Sequence, residues 1–227
     1  MEYKSIYKGT FLFRPNRFTA EVEIDGKMEI CHVKNTGRCR ELLIKGAEVY
    51  LEKAENPERK TKYSLVSVRK GDSLFNIDST APNAVFGEWI EKGGFFGEVS
   101  YVKPEYTYKN ARLDFYIEAE GKKILVEVKG VTLEDGGTVL FPDAPTERGV
   151  KHLQHLREAA REGYEAFVFF IAKTEKAKLF MPNYAAHPAF AEELRQAKEE
   201  GVGVYCLNCT VLPHALSVRD FVPVQLS

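Results

Sequence analysis

The pattern of hydrophobic residues changes near residue 80, and this change limits the folds open to the chain. Before it, apolar and polar residues alternate almost throughout residues 9–78, which is typical of half-buried strands. The clearest hairpin is FTAEVEIDGKMEICHV, with Asp25 and Gly26 at its turn. The stretch GRCRELLIKG predicts only a short helix or turn. About five short strands in this segment predict a small antiparallel barrel, and an OB-type barrel is the first choice.

Beyond residue 80, helical and strand-like patterns alternate. PNAVFGEWIEKGG predicts a helix that starts near Pro82, and three strand-like runs follow it. The strongest helical pattern lies in FPDAPTERGVKHLQHLREAAREG, where Asp143 is predicted to cap the helix, Pro145 to lie in its first turn and Gly163 to end it. EAFVFFIA, a further helix and VGVYCLNCTVL complete the order α-β-β-β-α-β-α-β. This order predicts an α/β sandwich with a mixed sheet, so we expect two domains, residues 1–81 and 82–227.

Composition restricts the class of protein further. Hydrophobic residues make up 44% of the 227 and charged residues 29%, which provides enough apolar material for a sizeable core. We expect no membrane span, because no run of about 18 apolar residues occurs. The N-terminus shows no secretory signal, and four cysteines do not make a disulfide scaffold in a chain of this length. A reducing, cytoplasmic setting is therefore expected.

The stretch ILVEVKGVTL combines a buried-strand pattern with two charged residues. Glu127 and Lys129 are two positions apart and so project from the same face of a strand. Asp114 interrupts the preceding strand-like run, and a hairpin between the two strands would place it beside Glu127. Two neighbouring carboxylates repel each other unless a cation or a proton lies between them. We therefore predict a site for Mg²⁺ or Mn²⁺ on Asp114 and Glu127.

Such a site would suit metal-assisted phosphodiester hydrolysis. A bound cation polarises a phosphoryl oxygen and lowers the pKa of an attacking water, and Lys129 could orient that water or neutralise developing charge. The alternative is an ordinary solvent-facing strand, on which Glu127 and Lys129 form a weak surface pair.

Several motifs together make the family recognisable. Asp114, then VEVK, then a helix beginning TERG resemble the core of the PD-(D/E)xK nuclease superfamily. More narrowly, NTG, RLDF, VEVKGVTL and FPDAPTERGVKHL are similar to the sugar fermentation stimulation protein A family. The resemblance implies an N-terminal OB-fold domain, a C-terminal nuclease-like domain of mixed α/β architecture, DNA binding, and a link to regulation of sugar (maltose) metabolism.

The resemblance also implies residue roles. It places the catalytic, metal-binding acids on Asp114 and Glu127 and the catalytic lysine on Lys129, although Leu113 replaces the proline that names the motif. Acids on the first helix or strand often assist in the superfamily, which makes Glu88 and Glu105 further candidates.

Basic residues in two segments are candidates for binding DNA, single- or double-stranded. Arginines interleaved with phenylalanines on a small barrel suit stacked bases and phosphates, although many of these phenylalanines could simply be core. The helix after the motif carries a basic side that either holds the phosphate backbone or is a plain solvated face. No catalytic histidine is expected on it. The candidates are Arg14, Arg17, Lys34 and Arg38 on the barrel, and Arg148 and Lys151, with His152 and His155, on the helix.

Three functions are compatible with these features. The first is a metal-dependent nuclease, the second a DNA-binding regulator without turnover that keeps the nuclease fold, and the third a barrel that grips an oligosaccharide or a protein. A homodimer is left open. Zinc is not expected at Cys206 and Cys209, because a strand would send them to opposite faces and two further ligands are lacking.

Overall fold

The computed structural model describes residues 1–35, 37 and 39–226. It contains eighteen helices and strands among these residues, numbered here in chain order. They are β1 (Ile6–Asn16), β2 (Thr19–Ile24), β3 (Lys27–Val33), β4 (Glu48–Lys53), β5 (Tyr63–Lys70), β6 (Ser73–Asn76), α1 (Ala81–Glu91), β7 (Val99–Tyr108), β8 (Ala111–Ala119), β9 (Lys122–Val131), β10 (Leu133–Asp135), β11 (Thr138–Phe141), α2 (Glu147–Arg161), β12 (Glu165–Ala172), β13 (Leu179–Pro182), α3 (Pro188–Glu199), β14 (Gly203–Leu212) and β15 (Ala215–Val222).

The first five strands close into a barrel. β1 pairs with β2 and β4, β2 pairs with β3, β4 pairs with β5, and a parallel pairing of β3 with β5 closes the ring. Its interior is filled by alternating inward side chains such as Val22, Val49 and Leu65, all without exposed surface. The predicted OB-type barrel is thereby confirmed.

The turns of the barrel follow from local sequence. Asp25 and Gly26 both have positive φ, 51° and 73°, as a two-residue turn between β2 and β3 requires, so the predicted hairpin is confirmed. The stretch predicted as a short helix or turn forms turns, and Leu42 is buried there in the barrel core.

The second half is a six-stranded mixed sheet covered on both faces. Its strand order is β15-β14-β12-β9-β8-β7, in which β9, β12 and β14 pair in parallel, while β15 pairs antiparallel with β14 and β8 pairs antiparallel with β9 and β7. One face packs against α1, and the other against α2 and α3. The predicted α/β domain with a mixed sheet is therefore confirmed.

Four strands were not predicted. β10, β11 and β13 form a small separate sheet, and β15 adds an antiparallel edge to the large sheet. The three strands of the small sheet have only three or four residues each, too few for alternation to be distinguished from a loop.

The predicted N-terminus of α2 is wrong by several residues. The cap is Thr146, whose hydroxyl accepts a hydrogen bond from the Gly149 amide at 3.1 Å, and Asp143 does not cap the helix. Asp143 instead faces the barrel, since a Cβ on Gly37 would lie 3.0 Å from its Oδ2. The predicted end is confirmed, because Gly163 follows the helix with a φ of 94°.

The barrel and the α/β domain are joined by buried hydrogen bonds. The Asn76 amide donates to the Lys173 carbonyl, and the Lys173 ammonium donates to the Asp78 carbonyl, each at 3.0 Å. The Asp78 carboxylate, 1% exposed, accepts from Thr80 and lies 3.0 Å from the Lys34 ammonium. Burial works to raise the pKa of Asp78, but these donors outweigh it and hold the pKa below its usual value.

No helix in the described ranges is long and apolar enough to cross a membrane. Cys206 and Cys209 are buried free thiols that belong to the cores on opposite sides of the sheet, as expected for a strand.

Candidate functional site

Asp114 is held in place by one hydrogen bond to each carboxylate oxygen. The Asn83 side chain, from α1, donates to Oδ1 at 2.8 Å, and the Val128 amide donates to Oδ2 at 2.8 Å. The second bond ties Asp114 to the backbone of β9 next to Glu127. The strand pair and the helix in front of it therefore position this carboxylate together.

Glu127 is buried in the sheet with its carboxylate only half satisfied. The residue is 1% exposed, and its Oε1 accepts from the Lys129 ammonium and from His152 Nδ1, the latter at 2.5 Å. Its Oε2 has no hydrogen-bond partner. A buried anionic oxygen without a partner is costly and rare, so this atom points to a missing ligand.

The surroundings shift the pKa values of the two carboxyl groups in opposite directions. Burial and then the negative charge of Glu127 raise the pKa of Asp114 above its usual value. Burial also works to raise the pKa of Glu127, but the charge of Lys129 and the hydrogen bonds from His152 and Lys129 outweigh it and lower that pKa. Asp114 and Glu127 are thus close enough to repel each other, which is the condition under which a pair of acids attracts a cation.

His152 has a defined proton arrangement. The Arg148 Nε donates to His152 Nε2 at 3.3 Å, so this ring nitrogen is an acceptor and the proton is assigned to Nδ1. His152 therefore donates from Nδ1 to Glu127 and fixes the orientation of that carboxylate.

These side chains fit a hard divalent cation. Two carboxylates, one with a free buried oxygen, are the kind of ligand set that Mg²⁺ accepts while keeping several waters or substrate oxygens. Among the residues that the structure describes, no three His, Cys, Asp or Glu side chains are grouped as a closed metal centre. An open site on two acids is the arrangement that remains.

A basic cavity of about 460 Å³ adjoins this group. Arg112 from β8 and Arg148 and Lys151 from α2 line it, together with His152 and His155. The predicted basic side of α2 thus faces a concave surface and shares His152 with the carboxylate group. Glu147, at the start of α2, lies 3.2 Å from His187 Nε2.

The barrel residues that were predicted to bind nucleic acid make different kinds of contact. Arg14 donates to the carbonyl oxygens of Asn35, Gly37 and Arg17, at 2.6 to 2.8 Å, and so stabilises the turn after β3. Lys34 pairs with Asp78 at the domain junction. Arg17 lies on the surface, 4.7 Å from the ring centre of Phe18. Arg38 lies outside the described residues.

Glu88 and Glu105 are engaged elsewhere. Glu88 accepts from the N-terminal ammonium of Met1 at 2.7 Å, and Glu105 lies on the exposed surface with Arg112 3.6 Å away. Sequence reasoning missed Asn83 and the contact of His152 with Glu127. The only signal for His152 was its place four residues after Arg148, on the same side of the helix.

An Asp114→Asn variant is expected to melt at a higher temperature than the wild type when no divalent cation is present. The raised pKa means that the folded state disfavours the ionised form, so at pH 7 the charge destabilises the fold. Asparagine keeps the shape, and its oxygen can still accept from the Val128 amide. Thermal unfolding in a chelator measures the effect, with Asp220→Asn on the exposed edge strand as the control, and a lower melting temperature for Asp114→Asn would contradict it.

The fold and this group of side chains define a two-domain protein, in which an OB-type barrel precedes an α/β domain that carries paired acids on the adjacent strands β8 and β9. Family models agree with both parts. Residues 12–77 match the SfsA N-terminal OB domain, and residues 80–215 match the sugar fermentation stimulation protein RE domain. The chain belongs to the sugar fermentation stimulation protein family.

Relatives cover the whole chain. It is 56% identical to a sugar fermentation stimulation protein homolog of Desulfitobacterium hafniense (strain DSM 10664 / DCB-2) over 226 residues, covering 100% of this chain and 99% of the relative. A Clostridium beijerinckii homolog is 53% identical, with both chains covered to 100%. The solved structure of Pyrococcus furiosus SfsA in complex with Ca²⁺ is 30% identical, with a TM-score of 0.90 and 99% and 98% of the two chains covered.

Proposed function

We propose that this protein binds DNA and hydrolyses its phosphodiester bonds with the help of a divalent cation, Mg²⁺ or Mn²⁺. The observation that carries the proposal is the buried Glu127 carboxylate, whose Oε2 lacks a partner while Asp114 and Lys129 stand beside it. The resemblance to the PD-(D/E)xK nuclease core supports the same assignment. A solved relative is described with Ca²⁺, a cation that shares the preference of Mg²⁺ for oxygen ligands.

Each side chain has a role in this proposal. Asp114 and Glu127 would hold the cation, which supplies polarisation of a phosphoryl oxygen and activation of water. Lys129 places positive charge next to both acids, where it would stabilise charge that develops on the phosphate. His152 holds Glu127 through Oε1 and leaves Oε2 directed away from that bond.

The basic cavity would position the backbone of the DNA. Arg112, Arg148 and Lys151 line it, and Arg148 also bonds to His152. Phosphate contacts of this kind set the register of a nucleic acid and carry no sequence information. The barrel would add a stacking surface, because Phe13, Phe18 and Ile30 are about half exposed.

Metal-dependent cleavage is the direct test. The full-length protein is incubated with single- and double-stranded DNA in Mn²⁺ or Mg²⁺, and the products are resolved on denaturing gels. We expect cleavage that a chelator stops and that Asp114→Ala lacks. Cleavage that persists unchanged in Asp114→Ala would rule out the assignment.

Two observations also suit a second function. Lys129 already neutralises Glu127 by a direct bond, and the described residues contain no three-ligand metal group, which also suits a DNA-binding regulator without turnover. Salt-dependent DNA binding with no cleavage in any divalent cation would favour this alternative.

Lys151→Ala is expected to weaken DNA binding and to reduce the salt slope of log K by about 1, as for the loss of one phosphate contact. The physical reason is that Lys151 lines the basic cavity at the surface of α2. Fluorescence anisotropy at several salt concentrations measures both quantities. Lys198→Ala, on the exposed side of α3, is the matched control and should leave both unchanged. Equal effects of the two substitutions would place the DNA elsewhere.

A further inference from the structure

A second, smaller cavity of about 200 Å³ lies between the barrel and the α/β domain. It is formed at the carboxyl ends of the parallel strands β9 and β12, where ligands commonly bind in α/β sheets. Its walls come from the turn after β3, the end of β9, the end of β11 and the residue after β12. The volume is below the about 300 Å³ of pockets for drug-sized ligands, so it suits a single heterocycle.

Lys173 is a buried and incompletely bonded group in this cavity. It is 2% exposed, and its ammonium makes one hydrogen bond among the described residues, to the Asp78 carbonyl at 3.0 Å. An ammonium group carries three donors, so two of them have no acceptor in the part of the chain that the structure describes. Burial lowers the pKa of Lys173 to about 8, so the group still carries its proton at neutral pH. A buried cation with unused donors at a cavity wall calls for an acceptor from a ligand.

The cavity adjoins the carboxylate group along one strand. Gly130, which lines it, is the residue directly after Lys129. A Cβ at Gly130 would lie 2.6 Å from Pro82 Cγ and 3.3 Å from Lys173 Cε, so glycine is needed for this close packing. Val131, which also lines the cavity, lies two residues after Lys129 on the same face of β9, so the cavity begins about 7 Å along the strand from Lys129.

The charges of the cavity select the chemistry of its occupant. Lys173 offers donors, whereas the exposed Asp143 at the same cavity offers acceptors and is close enough to favour the charged lysine. An anion would be repelled by Asp143 and a cation by Lys173. The complementary ligand is neutral and carries a carbonyl oxygen next to an N–H group. Phe141 and Leu140 supply apolar walls for a flat ring.

We propose that this cavity receives one nucleobase taken out of the stack and prefers bases with a carbonyl next to a ring N–H, namely uracil, thymine, guanine or hypoxanthine. This proposal rests on the proposed DNA-binding function. It adds which bases of the DNA the cavity beside the carboxylate group would prefer. Cytosine and adenine present an amino group where the preferred bases have the carbonyl oxygen, so for a base that enters in the same orientation the amino group would oppose the Lys173 donors. Enzymes that act on such bases either extrude them or take single strands, where unstacking costs least.

The test compares two single-stranded oligonucleotides of equal length, fifteen deoxyuridines and fifteen deoxycytidines, by fluorescence anisotropy in a chelator so that no cleavage interferes. The bases have the same size and differ in the edge that Lys173 and Asp143 would read. We expect the full-length protein to bind the uracil oligonucleotide about tenfold more tightly, in line with one correctly paired base edge. In Lys173→Met and in Asp143→Ala, which remove the donor and the acceptor respectively, the ratio should fall to about one.

The control separates this proposal from DNA binding itself. Lys151→Met should weaken binding of both oligonucleotides equally and keep their ratio, and thermal unfolding shows whether each variant is folded. Equal, salt-dependent binding of the two oligonucleotides by the wild type would overturn the nucleobase cavity and leave the DNA-binding function standing. A preference for uracil that survives in the Asp143→Ala variant, at an exposed residue, would also overturn it. Binding of neither oligonucleotide would overturn both.

Discussion

Glu127→Gln is expected to lose metal-dependent cleavage of DNA by more than about 100-fold, which exceeds the typical effect of removing a residue that only supports a metal ligand. Glutamine preserves the volume of the side chain but removes the charge that would hold the cation. The unpartnered Oε2 becomes part of a neutral amide, and Lys129 loses its anionic partner. Initial rates in Mn²⁺ across a range of concentrations measure the loss.

The same variant should fail to respond to the cation in thermal unfolding. A cation at a hundred times its Kd stabilises the wild type by about 2.7 kcal/mol, and each kcal/mol raises the Tm of a chain of this size by about 2–4 °C. Without the cation, Glu127→Gln should be less stable than the wild type at pH 7. The lowered pKa of Glu127 means that its ionised form stabilises the fold above the unfolded pKa of about 4.3, and this contribution is lost as pH falls through the folded pKa.

Glu165→Gln is the matched control for Glu127→Gln. Glu165 lies on the adjacent strand β12 and makes only a surface pair with Lys122 at 2.8 Å. The cleavage rate of the Glu165→Gln variant and its rise in Tm with Mn²⁺ should equal those of the wild type. Cleavage at the wild-type rate by Glu127→Gln, or an equal rise in Tm with Mn²⁺, would show that this carboxylate does not hold the cation.

Phe86→Ala is expected to destabilise the protein by about 3–5 kcal/mol, the usual cost of truncating a core phenylalanine. Phe86 has no exposed surface, and its ring lies 4.9 Å from that of Phe169, 5.2 Å from Phe115 and 5.9 Å from Trp89, between centroids. The cavity left behind would weaken the packing of α1 on the sheet. Since α1 also carries Asn83, which bonds to Asp114, the loss should be accompanied by weaker cation binding.

Denaturant unfolding measures this loss, and Phe13→Ala provides the control. Phe13 is 58% exposed on the outside of the barrel, so its truncation should change stability by no more than about 0.5 kcal/mol. If Phe86→Ala lost as little stability as is expected of Phe13→Ala, α1 would not depend on Phe86 for its packing.

Much of the fold could be predicted from the sequence because its long elements have clear periods. The barrel hairpin follows from Asp25 and Gly26, and the central strand β12 from an uninterrupted apolar run. The short strands β10, β11 and β13 could not be predicted, because pairing with distant partners rather than local pattern makes them strands. The cap of α2 was misplaced for a similar reason, since Asp143 and Thr146 both suit an N-cap and a contact with the barrel decides between them.

The candidate site likewise combines features that the sequence predicted with features that only the structure showed. The spacing of Glu127 and Lys129 requires that they share one face of a strand, and the hairpin brings Asp114 alongside, as the structure shows. The sequence contains no comparable signal for the bond between His152 and Glu127, or for the position of Lys173 in a cavity between the domains. Arg14 and Lys34 suited a nucleic-acid surface by composition, yet both make contacts within the protein.

Local periodicity and residue spacing were sufficient for the two kinds of domain and for the acid pair with its lysine, because these depend on neighbours within one strand or one hairpin. Tertiary structure alone decided which atoms remain without partners. Burial and hydrogen bonding depend on residues far apart in the chain, so only the packed sheet, α2 and the barrel turn could leave Glu127 Oε2 unsatisfied and place Lys173 beside an open cavity.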